Sequence, residues 1–201
     1  MGAKKVFFVT ATNTDVGKTY ACIVLLRKFA KKGYRVGYFK PIETGVEELP
    51  NDGSKLMKVA QSLNSEFTFG IDDVVPYQFK MAAAPYISKG DTQIDFDFLV
   101  NKKNELLKSC DILFIEGAGG LMVPIEKDFF MIDMIKLFDA EAILISPSNL
   151  GSINDTLLSM QALKKKKIKY KWYINLYKDK ETFETITLPF YKDYFKKINY
   201  L

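Results

Sequence analysis

Histidine is absent from the 201-residue chain, and cysteine occurs only twice, at Cys22 and Cys110. The first absence excludes catalysis by an imidazole base, Ser-His-Asp and Cys-His triads, and any histidine-ligated metal. Two thiols in apolar surroundings make no disulfide framework, and burial as small packing residues is expected for both. Long apolar runs are lacking as well: none approaches the roughly 18 residues needed to span a membrane. The N-terminus leads straight into a strand-like run without the pattern of a secretory signal, so a cytoplasmic protein without a membrane partner is expected. Excess charge of one sign is also small. Lys and Arg number 29 against 24 Asp and Glu, a net +5. The densest run, Lys164 to Lys167 with Lys169 and Lys171 beyond it, falls at the end of a predicted helix, where cations suit the helix dipole. No nucleic-acid partner is expected from such a distribution.

What remains is an ordinary globular composition, 48% hydrophobic and 26% charged, at a length that suits one domain over residues 1–201. Short apolar runs alternate with helix-period segments. Strands are predicted at Lys5–Ala11, Arg35–Ile42, Asp111–Glu116, Ala142–Ser146 and Lys171–Leu176, with a short extended piece at Val74–Phe79. Helices are predicted at Lys18–Lys32, Ser54–Leu63, Phe96–Leu107, Phe130–Phe138 and Ile153–Leu163, and the aromatic tail from Thr182 reads as helical. Gly117-Ala118-Gly119-Gly120 reads as a turn. This alternation implies an α/β fold of three layers, a mostly parallel sheet with helices on both faces. Ligands then belong at the carboxyl ends of the strands, and the unusual residues collect there.

The first such end carries Gly17-Lys18-Thr19, the close of a phosphate-binding loop G-x-x-x-x-G-K-[ST]. Thr12 stands where the first glycine belongs. A strand precedes the stretch and a helix follows it, the context in which helix N-terminal amides face phosphates. Lys18 would place a point charge on the β- and γ-phosphates, and Thr19 would offer a hydroxyl to Mg²⁺. Glu116 ends the strand DILFIE before the glycines. It reads as a metal ligand or as an exposed strand-end acid, and the apolar residues before it favour the ligand. Asp52 reads equally as a metal ligand or as a helix N-cap. Lys40, at the second strand's end, would hold a phosphoryl group in flight or be a surface lysine before a turn.

Together these pieces resemble one family, the dethiobiotin synthetases. Ala11 to Thr19 (ATNTDVGKT) is similar to the family's G-T-D-T-x-V-G-K-T, in which threonine already replaces the first glycine. Lys40 to Gly45 (KPIETG) resembles K-P-[VI]-x-[ST]-G, and Glu116 to Gly120 matches E-G-A-G-G. Leu150 to Asn154 (LGSIN) is similar to L-G-x-I-N, and Trp172 to Asn175 (WYIN) to the W-x-x-N segment that reads the base.

The resemblance implies a P-loop NTPase-like fold and an ATP- and Mg²⁺-dependent cyclo-ligase. CO2 (or bicarbonate) would add to 7,8-diaminopelargonic acid as a carbamate. ATP would phosphorylate this to a carbamic-phosphoric anhydride, and the second amine would close the cyclic urea of dethiobiotin. On that reading Lys18, Lys40 and Thr14 are catalytic. Asn13, Thr14, Asp15, Val16, Gly17, Lys18, Thr19, Tyr20, Glu116, Gly117, Ala118, Gly119 and Asn175 bind nucleotide. Lys40, Thr44, Gly120, Gly151, Ser152, Ile153 and Asn154 bind substrate, the last four across a homodimer interface, and Thr19, Glu116 and Asp52 hold the metal.

The chain departs from the family at three places. The family's second metal carboxylate aligns with Ser54, and the nearest acid is Asp52. Ala84-Pro85-Tyr86 stands for the family's S-P-H. Leu188-Pro189-Phe190 is a short counterpart of the family's base-enclosing segment, so weak discrimination among nucleoside triphosphates is expected. The competing readings are a related P-loop amide-forming ligase, which would need a glutaminase Cys-His pair, and a nucleotide-switched partitioning-type ATPase, whose loop carries an additional lysine near its start.

Overall fold

The computed structural model describes residues 4–177 and 180–201. At its centre lies β1 (Lys5–Ala11), flanked in an all-parallel five-stranded sheet by β5 (Ile112–Gly120) and β8 (Glu141–Pro147), with β2 (Val36–Phe39) and β9 (Tyr170–Asn175) at the edges. The strands read as near-continuous apolar runs because both faces are covered. Phe8, Val9, Leu113, Phe114 and Leu144 are fully buried. The covering helices are α1 (Lys18–Ala30), α2 (Asn51–Leu63), α5 (Phe96–Lys108), α6 (Met131–Leu137) and α7 (Ser152–Lys165). Cys22 and Cys110 are buried and free, as expected. Among the described residues no helix is long and apolar enough to cross a membrane.

Four departures from the sequence-based expectation have local causes. The strand expected over Arg35–Ile42 stops at Phe39. Lys40 turns its N–H to the Val74 carbonyl and Pro41 has none to donate, so the chain leaves the sheet. It resumes as β3 (Ile42–Thr44), paired in a separate parallel ladder with β4 (Tyr77–Phe79). The extended piece expected over Val74–Phe79 accordingly begins as a helical turn, α3 (Ile71–Val74).

Second, Gly117 to Gly120 are no turn. They are the last four residues of β5, which regains its pairing with β1 at Ala11↔Gly120 after a register shift. Third, a hairpin of β6 (Pro124–Glu126) and β7 (Phe129–Phe130) takes the start of the helix expected at Phe130, and a short helix α4 (Pro85–Ser88) was not foreseen. Fourth, α2 begins at Asn51 rather than Ser54, which brings Asp52 into its first turn. The tail is helical over α8 (Lys180–Thr182), a π-helical stretch (Phe183–Thr187) and α9 (Leu188–Tyr194). Beyond it the chain is extended and returns to the β9 edge, where Ile174 and the Asn199–Leu201 backbone exchange hydrogen bonds.

That tail is held by a buried polar chain. Tyr191 donates its hydroxyl to Thr156 Oγ1 (3.1 Å), Thr156 donates to Ser146 Oγ (2.8 Å), and Trp172 Nε1 donates to the same Ser146 oxygen (2.8 Å). One serine hydroxyl therefore ties α9, α7, β8 and β9 together. Ser146→Ala leaves two buried donors without an acceptor and is expected to cost about 2–4 kcal/mol, whereas Tyr191→Phe removes a donor cleanly and should cost about 1 kcal/mol. Urea denaturation of the two variants checks the order; equal losses would contradict it.

Candidate active site

Three strand ends supply the site. From β1 the chain passes into a loop whose backbone is unusual at two positions, Asp15 (φ 57°) and Gly17 (φ 93°). The left-handed conformation at Gly17 turns the chain directly into α1, whose first hydrogen bond runs from Ala21 N–H to Gly17 O. No side chain fits there. A Cβ on Gly17 would lie 2.2 Å from Asn175 Nδ2. Asn175, buried at the end of β9, donates instead to the Val16 carbonyl (3.0 Å), and Tyr177 donates to the Asp15 carbonyl (2.7 Å). The loop is thus braced from outside, with its amides left at a helix N-terminus that favours anions. Lys18 folds back across it to the Asn13 carbonyl at 3.3 Å. Burial pushes the Lys18 ammonium below its ordinary pKa, against the opposing pull of Glu116.

Facing the loop is Lys40, 4% exposed, at the point where the chain leaves β2. Its Nζ lies 3.1 Å from Glu116 Oε1 and 3.0 Å from Asp52 Oδ2. Burial acts against its charge, but Glu116 and Asp52 together outweigh it and raise the pKa above the ordinary lysine value. Glu116 is held on every side: Thr19 Oγ1 donates to its Oε1 (3.1 Å) and the buried Tyr38 hydroxyl to its Oε2 (2.9 Å). Burial first, then Glu116, pushes the Tyr38 hydroxyl and the Cys22 thiol well above their usual pKa values, so both remain protonated. Burial opposes the charge of Asp52 too, but Lys40 beside it, with Thr19, brings its pKa below the aspartate value.

These groups open into one cavity of about 520 Å³, lined by Thr14, Asp15, Gly17, Lys18, Thr19, Lys40, Thr44, Asp52 and Glu116 to Gly119 among the expected residues. It is also lined by Glu43, Gly45 and Asn51, which sequence reasoning did not single out. Glu43 stands inside the Lys40–Gly45 stretch, but its burial follows from β3, which lies beyond the strand expected to end at Ile42. Asp52 is no N-cap, since α2 starts after Pro50 and Asp52 makes no capping bond of its own; its carboxylate is turned into the cavity toward Lys40.

Other expected residues lie apart. Asn13 and Gly120 line a second cavity of about 410 Å³, with Met122, Asp155 and Leu158. Val16 is buried, Tyr20 is exposed on α1, and Asn175 stands behind the loop. Gly151, Ser152, Ile153 and Asn154 open α7 and line neither cavity within one chain: α7 follows β8, across β1 from Lys40 and Glu116, and meets the second cavity only further along, from Asp155 onward.

The donors suit a hard divalent cation. Thr19, Glu116 and Asp52 offer oxygen only, and among the described residues no group of three or more His, Cys, Asp or Glu could enclose a metal by itself. One or two carboxylates with a hydroxyl, completed by phosphate oxygens and water, is how Mg²⁺ is usually bound.

Comparison with known proteins fits this geometry. Residues 5–186 match the AAA_26 family, described as an AAA domain. The chain is 47% identical over 185 residues to the ATP-dependent dethiobiotin synthetase BioD of Sulfurovum sp. (strain NBC37-1), covering 92% of this chain and 88% of that protein. It is 35% identical over 192 residues to the BioD protein of Wolinella succinogenes, covering 94% and 89%. Among solved structures, the MinD cell division protein of Aquifex aeolicus superposes with a TM-score of 0.58 at 18% identity, over 97% of this chain and 80% of that one. A putative plasmid partition protein of Borrelia burgdorferi B31 bound to AMPPNP gives 0.59 at 14% identity, over 100% and 87%. At such identities the likeness is one of fold.

The bracing of the loop gives a direct test. Gly17→Ala forces a side chain into a left-handed backbone, about 1–2 kcal/mol of strain, and against Asn175. A fluorescent ATP analogue should bind roughly tenfold more weakly or worse; unchanged affinity would show that the loop does not hold phosphate.

Proposed function

The chain belongs to the family of ATP-dependent dethiobiotin synthetases, and from that premise we propose how its site performs the reaction. The substrate is 7,8-diaminopelargonic acid. One amine attacks CO2, forming a C–N bond and, with loss of a proton, a carbamate. A carbamate oxygen then attacks the γ-phosphorus of ATP and ADP leaves. The second amine attacks the carbonyl carbon of the resulting carbamic-phosphoric anhydride, the C–O bond to phosphate breaks, and the five-membered urea closes as phosphate and a proton depart.

The observation that carries this reading is the convergence of Lys18, Lys40, Thr19, Glu116 and Asp52 in one cavity. Phosphoryl transfer depends chiefly on positioning and on neutralising charge, work that lysines and backbone amides can do without histidine. The loop from Asn13 to Tyr20 holds the phosphates, with Lys18 on the β- and γ-oxygens. Lys40 faces it from the opposite wall and balances the carbamate and the transferring phosphoryl group. Thr14 and Thr44, both lining the cavity, place the carbamate between them. Thr19, Glu116 and Asp52 would hold Mg²⁺, which when bound neutralises phosphate charge. Asn175, already ordered against Val16, sets the edge of the base site.

The second cavity supports a homodimer. Met122 and Leu158 line it and are 60% and 56% exposed, and Leu150, just before α7, is 72% exposed. A second copy covering these side chains would bring the start of α7, Gly151 to Asn154, to the partner's substrate, where helix amides suit a carboxylate tail. The partitioning-type reading draws only on likeness of fold.

Two measurements test the proposal. Purified protein given ATP, Mg²⁺, bicarbonate and the diamine should form dethiobiotin by mass spectrometry, and Lys18→Ala should lower kcat by about 10²- to 10³-fold. Product formed at an undiminished rate by the variant, or no product from the wild type, would refute it. Leu158→Lys should shift the protein to monomer in light scattering and raise KM for the diamine; a fully active monomer would rule out a shared site.

A further inference from the structure

We infer that Glu43 is a positioning residue: its carboxylate clamps the first turn of α2 and so sets the Asp52 side chain at the metal end of the site. The inference rests on the proposed role of Asp52. Glu43 lies in β3 and is 6% exposed. Both of its oxygens are used on the α2 backbone. Oε1 accepts the Asp52 N–H at 3.0 Å and Oε2 the Gly53 N–H at 2.9 Å. The first N–H groups of a helix have no partner within it, and Pro50 at the N-cap position has no side-chain acceptor to offer. A carboxylate from another element takes that role, and its charge suits the helix N-terminus.

The approach is close enough to constrain the sequence. A Cβ on Gly53 would lie 3.0 Å from Glu43 Oε2 and 2.2 Å from Val75 Cγ2, so only glycine lets α2 sit down on Glu43. Asp52 needs this hold. Its side chain is 43% exposed and is fixed by Lys40 rather than by packing, so the position of its backbone decides where the carboxylate points. Asp52 also stands two residues before Ser54, the position at which the family resemblance puts the acid. The start of α2 at Asn51, drawn down by Glu43, is what lets an acid two residues early reach Lys40 and Thr19.

The test uses the full chain with Mn²⁺ as probe in the presence of a non-hydrolysable ATP analogue, read by electron paramagnetic resonance, alongside kcat and KM for Mg²⁺. Removing groups that orient a ligand costs about 10- to 100-fold in metal affinity. Asp52→Asn and Glu43→Ala should each weaken Mn²⁺ binding in that range. Glu43→Gln, which can still accept one amide, should fall between Glu43→Ala and the wild type. Gly53→Ala should reproduce the loss with Glu43 intact, a second route should Glu43→Ala fail to fold. Glu43→Gln combined with Asp52→Asn should bind no worse than Asp52→Asn alone. Weak binding in Asp52→Asn with wild-type affinity in the Glu43 and Gly53 variants would overturn the inference alone, as would additive losses in the double variant. Wild-type affinity in Asp52→Asn would remove the metal reading of Asp52, and the inference with it.

Discussion

A buried ammonium organises this protein. Lys40 carries its charge at 4% exposure between Glu116 and Asp52, and a charge taken so far out of water must be paired and hydrogen-bonded to persist. Much of the surrounding structure meets that demand. The chain leaves the sheet at Lys40 and Pro41, which frees the lysine from the β2 ladder. Strand β5 carries Glu116 beneath it, fixed by Tyr38 and Thr19. Helix α2 starts early and brings Asp52 to the open side.

The same arrangement explains how a chain without histidine can handle phosphoryl groups. The cavity brings Lys18 and Lys40 together with Glu116, Asp52 and the Thr19 hydroxyl; on the proposed reading the lysines serve the triphosphate and the carbamate, and the oxygen donors a metal. None of these groups must give up a proton to act. Preorganised charge in a site of low dielectric is worth far more than in water, and the burial of Lys18, Lys40 and Glu116 supplies that environment before any ligand enters. The loop is held in the same spirit, by Asn175 and Tyr177 bonding to its Val16 and Asp15 carbonyls.

Much of this was legible in the sequence. Continuous apolar runs alternating with helix-period segments define the parallel sheet, and Gly17-Lys18-Thr19 between a strand and a helix locates the phosphate loop. The parts that were not legible depend on contacts between distant residues. Pro41 hinted at the end of β2, but only the Lys40–Val74 backbone bond diverts the chain into a second ladder. Four residues rich in glycine read locally as a turn, yet pairing with β1 draws them into β5. Asp52 stood in an ambiguous polar stretch because its helix begins through a carboxylate nine positions upstream, which no local capping pattern contains. Gly151 to Asn154 are legible as a helix opening, but within one chain they line neither cavity, and the substrate role proposed for them needs a second copy.

The most direct test of the account follows an oxygen atom. If the carbamate attacks the γ-phosphorus and the ring closes by C–O cleavage, phosphate leaves with an oxygen that began in CO2. With bicarbonate fully labelled with ¹⁸O, inorganic phosphate released during dethiobiotin formation should carry one ¹⁸O atom per turnover, visible by ³¹P NMR or mass spectrometry. Phosphate released without label, while dethiobiotin still forms, would show that ATP is not spent on the carbamate and that the facing lysines serve some other step.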